Sequence, residues 1–338
     1  MRKLFYTLFI LAFISFAIAS CHWSMDGVGK DDEVMIDVKI NRFDKLMDEY
    51  ISLNSFSALQ KMNSDYPLET KLLIEDVLML GATNDENINL RLREYYSDTI
   101  LRKLSAEALA KFADMSKLEQ GFTRGFQRMK KALPHVPVPA VYAQISALNQ
   151  SVVVGDSILG FSIDKYMGKD YPLYQCFYYD YQCKSMSPER ILPDCFKFYL
   201  MSEFTFPWEW HRTLLDHIMH RGKIHWAVTR ILEYDSFEKE MGYTEEEGKW
   251  CREHADSVWN YLISSGLLYS TDPRWQRAFL QPAEYTLSLG EDSPAEVGVW
   301  LGIYLIDEYM KKNPDVTLSK LMNDIDYREM LKKANIPY

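Results

Sequence analysis

The order of hydrophobic periodicities along the chain is the feature that most limits its possible folds. From Pro67 to Leu133, apolar residues recur every three or four positions, as in amphipathic helices. Pro134, Pro137 and Pro139 end this pattern, and short β-branched segments follow: VYAQISAL, QSVVVGDS and LGFSID. Helical periodicity returns after residue 183. This order predicts an α+β fold that is mostly helical with a small antiparallel sheet.

The domain organisation follows from the same patterns. The segment Val34–Ile40 alternates and is β-branched, which predicts an additional strand before the first helix. Residues 34–338 are predicted to form a single α+β domain, with a helical part at 34–133 and a second part at 134–338. About 300 residues are enough to bury one large core.

The N-terminus carries the features of a bacterial lipoprotein. Residues 1–20 combine a short basic start, an apolar stretch and small residues, which indicates a secretory signal. The sequence Ile-Ala-Ser-Cys at 18–21 fits a lipobox, so the thiol of Cys21 is the predicted lipidation site. Residues 21–33 are polar with two glycines and are typical of a tether. The mature protein is therefore expected outside the cytoplasm, anchored to a membrane by acyl chains.

Charge and cysteine content restrict the partners and the chemistry. Removing residues 1–20 removes Arg2 and Lys3 and no acid, so the net charge falls from −10 to about −12, which argues against a nucleic-acid partner. Four other cysteines are present, Cys176, Cys183, Cys195 and Cys251. In the oxidising compartment expected for the mature protein, they could form two disulfides, in any of three pairings, or remain free thiols. No CxxC pair is present, so a thiolate metal site is not expected.

The stretch LLDHIMHRGKIHW, residues 214–226, contains three of the seven histidines. Zinc peptidases with an HExxH helix place two histidines four residues apart, so that both reach one ion, with a glutamate between them. Here the pair with that spacing is Asp216 and His220, and His217 takes the place of the glutamate. His225 falls on the apolar side of the helix. The three histidines are therefore not expected to converge, and no catalytic residue and no cofactor is predicted.

Two alternatives remain open for the polar residues of this helix. Asp216 and His220 could bind zinc together with a carboxylate such as Glu246, which would make the protein a zinc-dependent hydrolase or peptidase. Otherwise Asp216 and His220 would form a hydrogen bond at the surface or between helices, and His225 would be satisfied in the core.

Three further patterns have structural interpretations. VVVGDSILG resembles the nucleophile segment of GDSL esterases, but no GxND block and no DxxH pair follows Ser157, so Gly155–Asp156 is predicted to be a hairpin turn. The segment 171–183 contains six aromatic residues and is predicted to pack on the sheet; if exposed, it would suggest a surface for a glycan or a protein. Gly298 and Gly302 are predicted to allow close helix packing.

Several blocks together resemble the family of the gliding-motility-associated lipoprotein GldB of Bacteroidota. They are INRFDKLMDE, FSIDKYMGKDYPLY, HRGKIHW, MGYTEEEGKWC, LLYSTDPRW and GEDSPAEVGVWLGIYLIDEYMKKNPDVTLSKLM. The resemblance covers nearly the whole mature chain.

The resemblance implies a degenerate relative of predicted HExxH zinc peptidases, with zincin-like architecture in residues 134–338. It also implies a lipid-anchored envelope protein that faces the periplasm, catalyses no reaction and acts as a structural or assembly component beside envelope proteins. Many relatives occur in bacteria that do not glide, so gliding itself is not implied.

Overall fold

The computed structural model describes residues 36–338. The predicted signal at 1–20, Cys21 and the tether at 21–33 lie outside the described residues. Residues 37–338 form one compact unit that contains all the elements named below.

The first part of this unit is helical, as the periodicity predicts. Its helices are α1 Phe43–Leu53, α2 Phe56–Ser64, α3 Pro67–Lys71 with a π-helical continuation over Leu72–Val77, α4 Ile88–Tyr95, α5 Thr99–Lys111 and α6 Ser116–Ala132. Helix α6 ends two residues before Pro134 because a proline restricts the backbone of the residue that precedes it. The helical prediction for residues 67–133 is confirmed, apart from the connecting turns.

The strand predicted at Val34–Ile40 is wrong for its described residues, 36–40, which form no strand. Their backbone groups bond to α6 instead: the amide of Val38 donates to Thr123 Oγ1 at 2.9 Å, and that of Ile40 to Glu119 Oε1 at 3.1 Å. A single parallel bridge joins Asn41 to the sheet. Side chains of a neighbouring helix satisfy the amides that a strand partner would otherwise bind.

The sheet has three strands, β1 Ala140–Gln144, β2 Val152–Gly155 and β3 Ile158–Ser162, in the order β1-β3-β2. Strands β2 and β3 form an antiparallel hairpin, whereas β1 and β3 are parallel, so the sheet is mixed and the prediction of an antiparallel sheet is wrong. The hairpin itself was predicted, and its turn lies one residue further on, at Asp156 and Ser157. The connection from β1 to β2 is too long for a tight turn, which leaves room for β3 between them.

The second part returns to helices. They are α7 Asp180–Cys183, α8 Ile191–Glu203, α9 Leu214–Ile231, α10 Phe237–Met241, α11 Glu245–Ser264, α12 Pro273–Leu280, α13 Val297–Lys312, α14 Leu318–Asn323 and α15 Tyr327–Lys333. Single turns of 3-10 helix lie at Ile163–Lys165, Tyr174–Cys176, Pro188–Arg190 and Leu267–Tyr269. The mostly helical α+β class is confirmed.

Helices α9 and α13 cross at the centre of the second part, backbone against backbone. A Cβ atom on Gly222 would lie 2.2 Å from the carbonyl carbon of Gly302, and one on Gly302 would lie 2.2 Å from the Ile218 oxygen. Gly298 similarly approaches the Phe279 oxygen of α12, at 2.9 Å from its own Cβ position. The close packing predicted for Gly298 and Gly302 is confirmed, because no larger side chain fits at either place.

One aromatic cluster joins the two predicted parts. The ring of Phe126 on α6 lies 4.7 Å from that of Phe196 on α8, and Phe122 lies 6.0 Å from Phe161 of β3. All four rings are buried. The helical part and the second part therefore share a core.

Candidate functional site

Helix α9 begins with a reciprocal cap in which Asp216 is fully engaged. The amide of Asp216 donates to Thr213 Oγ1 at 3.3 Å, and the carboxylate accepts from the Thr213 amide at 2.9 Å and hydroxyl at 2.7 Å. The Arg212 amide and His211 Nδ1 each lie 3.0 Å from the carboxylate. Burial raises the pKa of Asp216, but hydrogen bonds from Thr213 and His211 outweigh it and hold this pKa below its usual value.

His217 acts as an aromatic surface. Its ring stacks on Phe206 with centroids 4.0 Å apart and planes inclined by 5°, and Trp208 meets it edge-on at 5.2 Å. Burial lowers the pKa of His217 to about 4. Its Nε2 is buried and has no hydrogen-bond partner within the described chain. The neutral ring thus fixes the segment that precedes α9.

His220, buried one turn further on, connects that segment to the C-terminus. Its Nδ1 lies 2.9 Å from the hydroxyl of Tyr327 on α15. The His220 ring also forms a hydrogen bond with the backbone of Phe204. Phe206 meets its ring edge-on at 5.1 Å. Burial, together with the positive charges of Lys223 and Arg221, lowers the pKa of His220 to about 3. The imidazole is therefore neutral at physiological pH.

These contacts hold a loop, residues 204–213, that we call the tryptophan loop. Trp208 and Trp210 are 60% and 77% exposed. Arg212 Nε donates to the Trp208 oxygen at 3.1 Å, and Gln276 of α12 donates to the Arg212 oxygen at 3.4 Å. Periodicity did not identify this loop, although two tryptophans around Glu209, ahead of a helix cap, are a visible signal.

Lys223 secures the other side of α9. Its ammonium group donates to the carbonyl oxygens of Met322 and Asp324, both at 2.9 Å, at the C-terminal end of α14. The side chain is 1% exposed, and burial lowers the pKa of Lys223 to about 8. A cation at this position binds carbonyls that a helix end leaves without partners.

The C-terminal half of α9 lies in a buried charged network. His225 Nδ1 lies 2.8 Å from Glu240 Oε2 of α10, and Arg190 donates to the Glu240 carbonyl and to the Asp194 carboxylate. His225 is buried, as predicted, but only one of its nitrogens is bonded. Its Nε2 and Glu240 Oε1 have no hydrogen-bond partner among the described residues.

The three alternative zinc ligands do not come together. Asp216 pairs with His211 and His220 with Tyr327, so the hydrogen bond predicted between Asp216 and His220 is wrong. Glu246 is exposed in the first turn of α11. Among residues 36–338, no group of three or more His, Cys, Asp or Glu side chains could hold a metal ion. The geometry gives the zinc alternative no support.

The aromatic segment 171–183 is only partly packed. Tyr174 is fully buried, and its hydroxyl donates to the Asp164 oxygen at 2.5 Å. Phe177 and Tyr179, however, are 63% and 73% exposed. The prediction of packing therefore holds for one end of the segment and fails for its tip.

The remaining sequence candidates are Ser157 and the four cysteines. Ser157 is exposed in the hairpin turn, and its hydroxyl contacts Asp156 at 3.4 Å. The four cysteines of the described chain are free thiols, with Cys176 exposed and the other three buried.

Residues 29–336 match the model of the gliding motility protein GldB. The chain belongs to the GldB family. The family resemblance seen in the sequence blocks is thereby confirmed, and the match includes α9 and the tryptophan loop. No curated protein and no solved structure matches the chain, so the zincin-like relationship stays a prediction for this member of the GldB family.

Within residues 36–338, no helix combines the length and the apolar character that spanning a membrane requires.

Proposed function

We propose that the protein is a lipid-anchored component of the bacterial cell envelope, facing the periplasm, that assembles with other envelope proteins and catalyses no reaction. Membership in the GldB family supports a role related to gliding motility. The lipobox that ends at Cys21 supports an anchor of acyl chains. The zincin-like architecture implied by the resemblance would then mean a shared fold only, with no bound metal and no metal-dependent reaction.

One observation carries the non-catalytic part of this proposal. Four polar side chains in the first three turns of α9 each hold a neighbouring segment: Asp216 caps the helix, His217 stacks on Phe206, His220 bonds to Tyr327 and Lys223 binds two carbonyls. A catalytic zinc site needs three converging protein ligands and an open position for water. The contacts of this helix are therefore more typical of a structural protein than of a zinc hydrolase.

Anchoring is tested by fractionating cells that express the wild-type chain or Cys21→Ser. We expect the wild type to stay in membranes after a high-salt wash and to co-purify with envelope proteins. Cys21→Ser should be released by that wash, whereas Cys176→Ser, which alters an exposed free thiol, should behave as wild type. Retention of Cys21→Ser after the wash would contradict the anchor.

The zinc-hydrolase alternative is tested by metal analysis of purified protein. We expect no stoichiometric zinc in the wild type or in His220→Ala. One zinc per chain that is lost in His220→Ala, but kept in His254→Ala, would restore the hydrolase alternative. His254 is the matched control because it is partly buried and bonded to a backbone oxygen, that of Trp250.

A further inference from the structure

The tryptophan loop exposes apolar surface from a fixed backbone. Trp208 and Trp210 are 60% and 77% exposed, although indole rings bury more area than most side chains when they are packed. Phe206, stacked on His217, holds the loop against α9, and the Asp216 carboxylate binds its last residues. Two large aromatic side chains presented on a held loop indicate a binding surface.

Exposed arginines lie on the loop and on two neighbouring segments. Segments 269–277 and 325–328 lie beside it, because the Leu214 amide donates to the Ser270 oxygen at 2.9 Å and the rings of His211 and Tyr327 are 5.1 Å apart. These segments and the loop carry three exposed arginines outside the ion pairs of the described chain: Arg212, Arg277 and Arg328. The exposed acids that have no ion pair there are Glu209 and Asp326. The surface is thus aromatic and slightly basic, in a chain with a net charge of −10.

We propose that the tryptophan loop and its flanking arginines bind the interfacial region of a phospholipid bilayer with anionic headgroups. Indole rings favour this region because it receives their apolar body and hydrates their N–H group. Arginines beside them are attracted by the negative surface potential of anionic lipids. A bilayer accepts exposed rings without a complementary pocket, which favours lipid over a folded protein partner.

The proposal rests on the anchored state proposed above, which would keep the loop near its target. The residues between Cys21 and Asp37 can span at most about 55 Å when fully extended. A tethered domain meets the bilayer at a high effective concentration, so a contact of low intrinsic affinity is sufficient. The loop would then fix which face of the domain lies on the membrane and leave the opposite face open to partners.

The test uses the mature chain with Cys21→Ser, which carries no acyl groups, in flotation with vesicles. We expect it to bind vesicles of phosphatidylethanolamine and phosphatidylglycerol and to dissociate as salt is raised. Trp208→Ser/Trp210→Ser should weaken this binding about tenfold or more, because both interfacial anchors are lost. The matched control is Phe177→Ser/Tyr179→Ser, which removes two equally exposed aromatics elsewhere and should bind as its parent does.

A second variant isolates the charge. Arg212→Gln/Arg277→Gln/Arg328→Gln keeps both tryptophans and should lose binding to anionic vesicles, with little change towards phosphatidylcholine vesicles. Circular dichroism and thermal melting confirm that each variant is folded. Equal vesicle binding by the parent and the tryptophan variant would overturn the proposal. Self-association of the parent that the tryptophan variant abolishes, without vesicle binding, would overturn it in favour of a second copy.

The two proposals fail separately. Vesicle binding is measured without an acyl chain, and anchoring is measured by the high-salt release of Cys21→Ser from cell membranes. If the tryptophan loop does not bind lipid, the result of the membrane-release experiment is unchanged. Retention of Cys21→Ser in washed membranes would contradict the anchor and leave the vesicle result standing.

Discussion

Two regions that pack on α9 are held in different ways. Helix α13 meets it through Gly222 and Gly302, where backbone touches backbone and no side chain can adjust. The tryptophan loop meets it through a stacked ring pair, His217 on Phe206, and through hydrogen bonds to Asp216. The first contact cannot change without moving a helix, whereas the second consists of side chains at one surface. We infer that the helix crossing determines the fold and that the loop can vary without unfolding the domain.

The largest effect is expected from Gly302→Ala. The new Cβ would lie 2.2 Å from the Ile218 oxygen, so α9 and α13 must separate, and the free energy of unfolding should fall by about 3 kcal/mol or more. Denaturant unfolding measures this change. Gly121→Ala on α6 is the control, because its Cβ meets the methyl end of the half-buried Leu192 side chain, which can rotate away; its cost should stay within about 1 kcal/mol. If the two substitutions lowered the free energy of unfolding equally, the crossing of α9 and α13 would be no more sensitive to an added methyl group than the control position.

The next effect concerns pH and the side of α9 that holds the loop. His217 and His220 have pKa values of about 4 and about 3 in the folded protein, below the ordinary value of 6.5. Between pH 6.5 and 4 the unfolded chain therefore binds more protons, so the free energy of unfolding falls as the pH falls through this range.

Unfolding curves at several pH values measure this dependence. His217→Phe keeps a ring on Phe206 and removes one titrating group, so it should flatten the dependence. An unchanged slope in His217→Phe would contradict the assignment of acid sensitivity to this ring.

A smaller effect is expected from Asp216→Ala. It removes the acceptor for the Thr213 and Arg212 amides, and the loss of a helix cap costs about 1 kcal/mol. Thermal melting measures the stability change, and amide exchange should rise mainly in residues 204–213. Asp216→Asn keeps one acceptor oxygen and should be intermediate. Uniformly faster exchange throughout the domain would show that the cap supports the core and not the loop alone.

The smallest effect is expected from Trp208→Ser/Trp210→Ser. Both side chains are mostly exposed, although Trp208 meets the rings of Phe206 and His217 edge-on, so the free energy of unfolding should fall by less than about 1 kcal/mol. Chemical denaturation measures it in the absence of lipid. A loss of several kcal/mol would show that these rings belong to the core and would remove the distinction between the two contacts of α9.

Local features of the sequence predicted local structure well. The three- and four-residue spacing located the helices of residues 67–133, and Gly298 and Gly302 indicated tight packing because a missing side chain has a direct steric consequence. Gly155–Asp156 located the hairpin turn to within one residue. The family blocks were also sufficient, since residues 29–336 match the GldB model.

Long-range partners could not be predicted in this way. His220 bonds to Tyr327, which is 107 residues away, and periodicity gives the direction of a side chain but not the segment that meets it. The parallel pairing of β1 with β3 depends on the path of a loop, so alternation within each strand did not reveal it. The capping role of Asp216 is indicated by Thr213, three residues earlier, because this spacing is that of a capping box. The HExxH spacing instead pairs Asp216 with His220.

The central claim is that Asp216, His217 and His220 of α9 hold the tryptophan loop in place. The most direct test is amide hydrogen exchange in wild type and His217→Ala, at a pH where both are folded. We predict that exchange in residues 204–213 becomes faster in His217→Ala, while the crossing of α9 and α13 stays protected. Unchanged exchange in the loop, or equal loss of protection across both helices, would contradict the account.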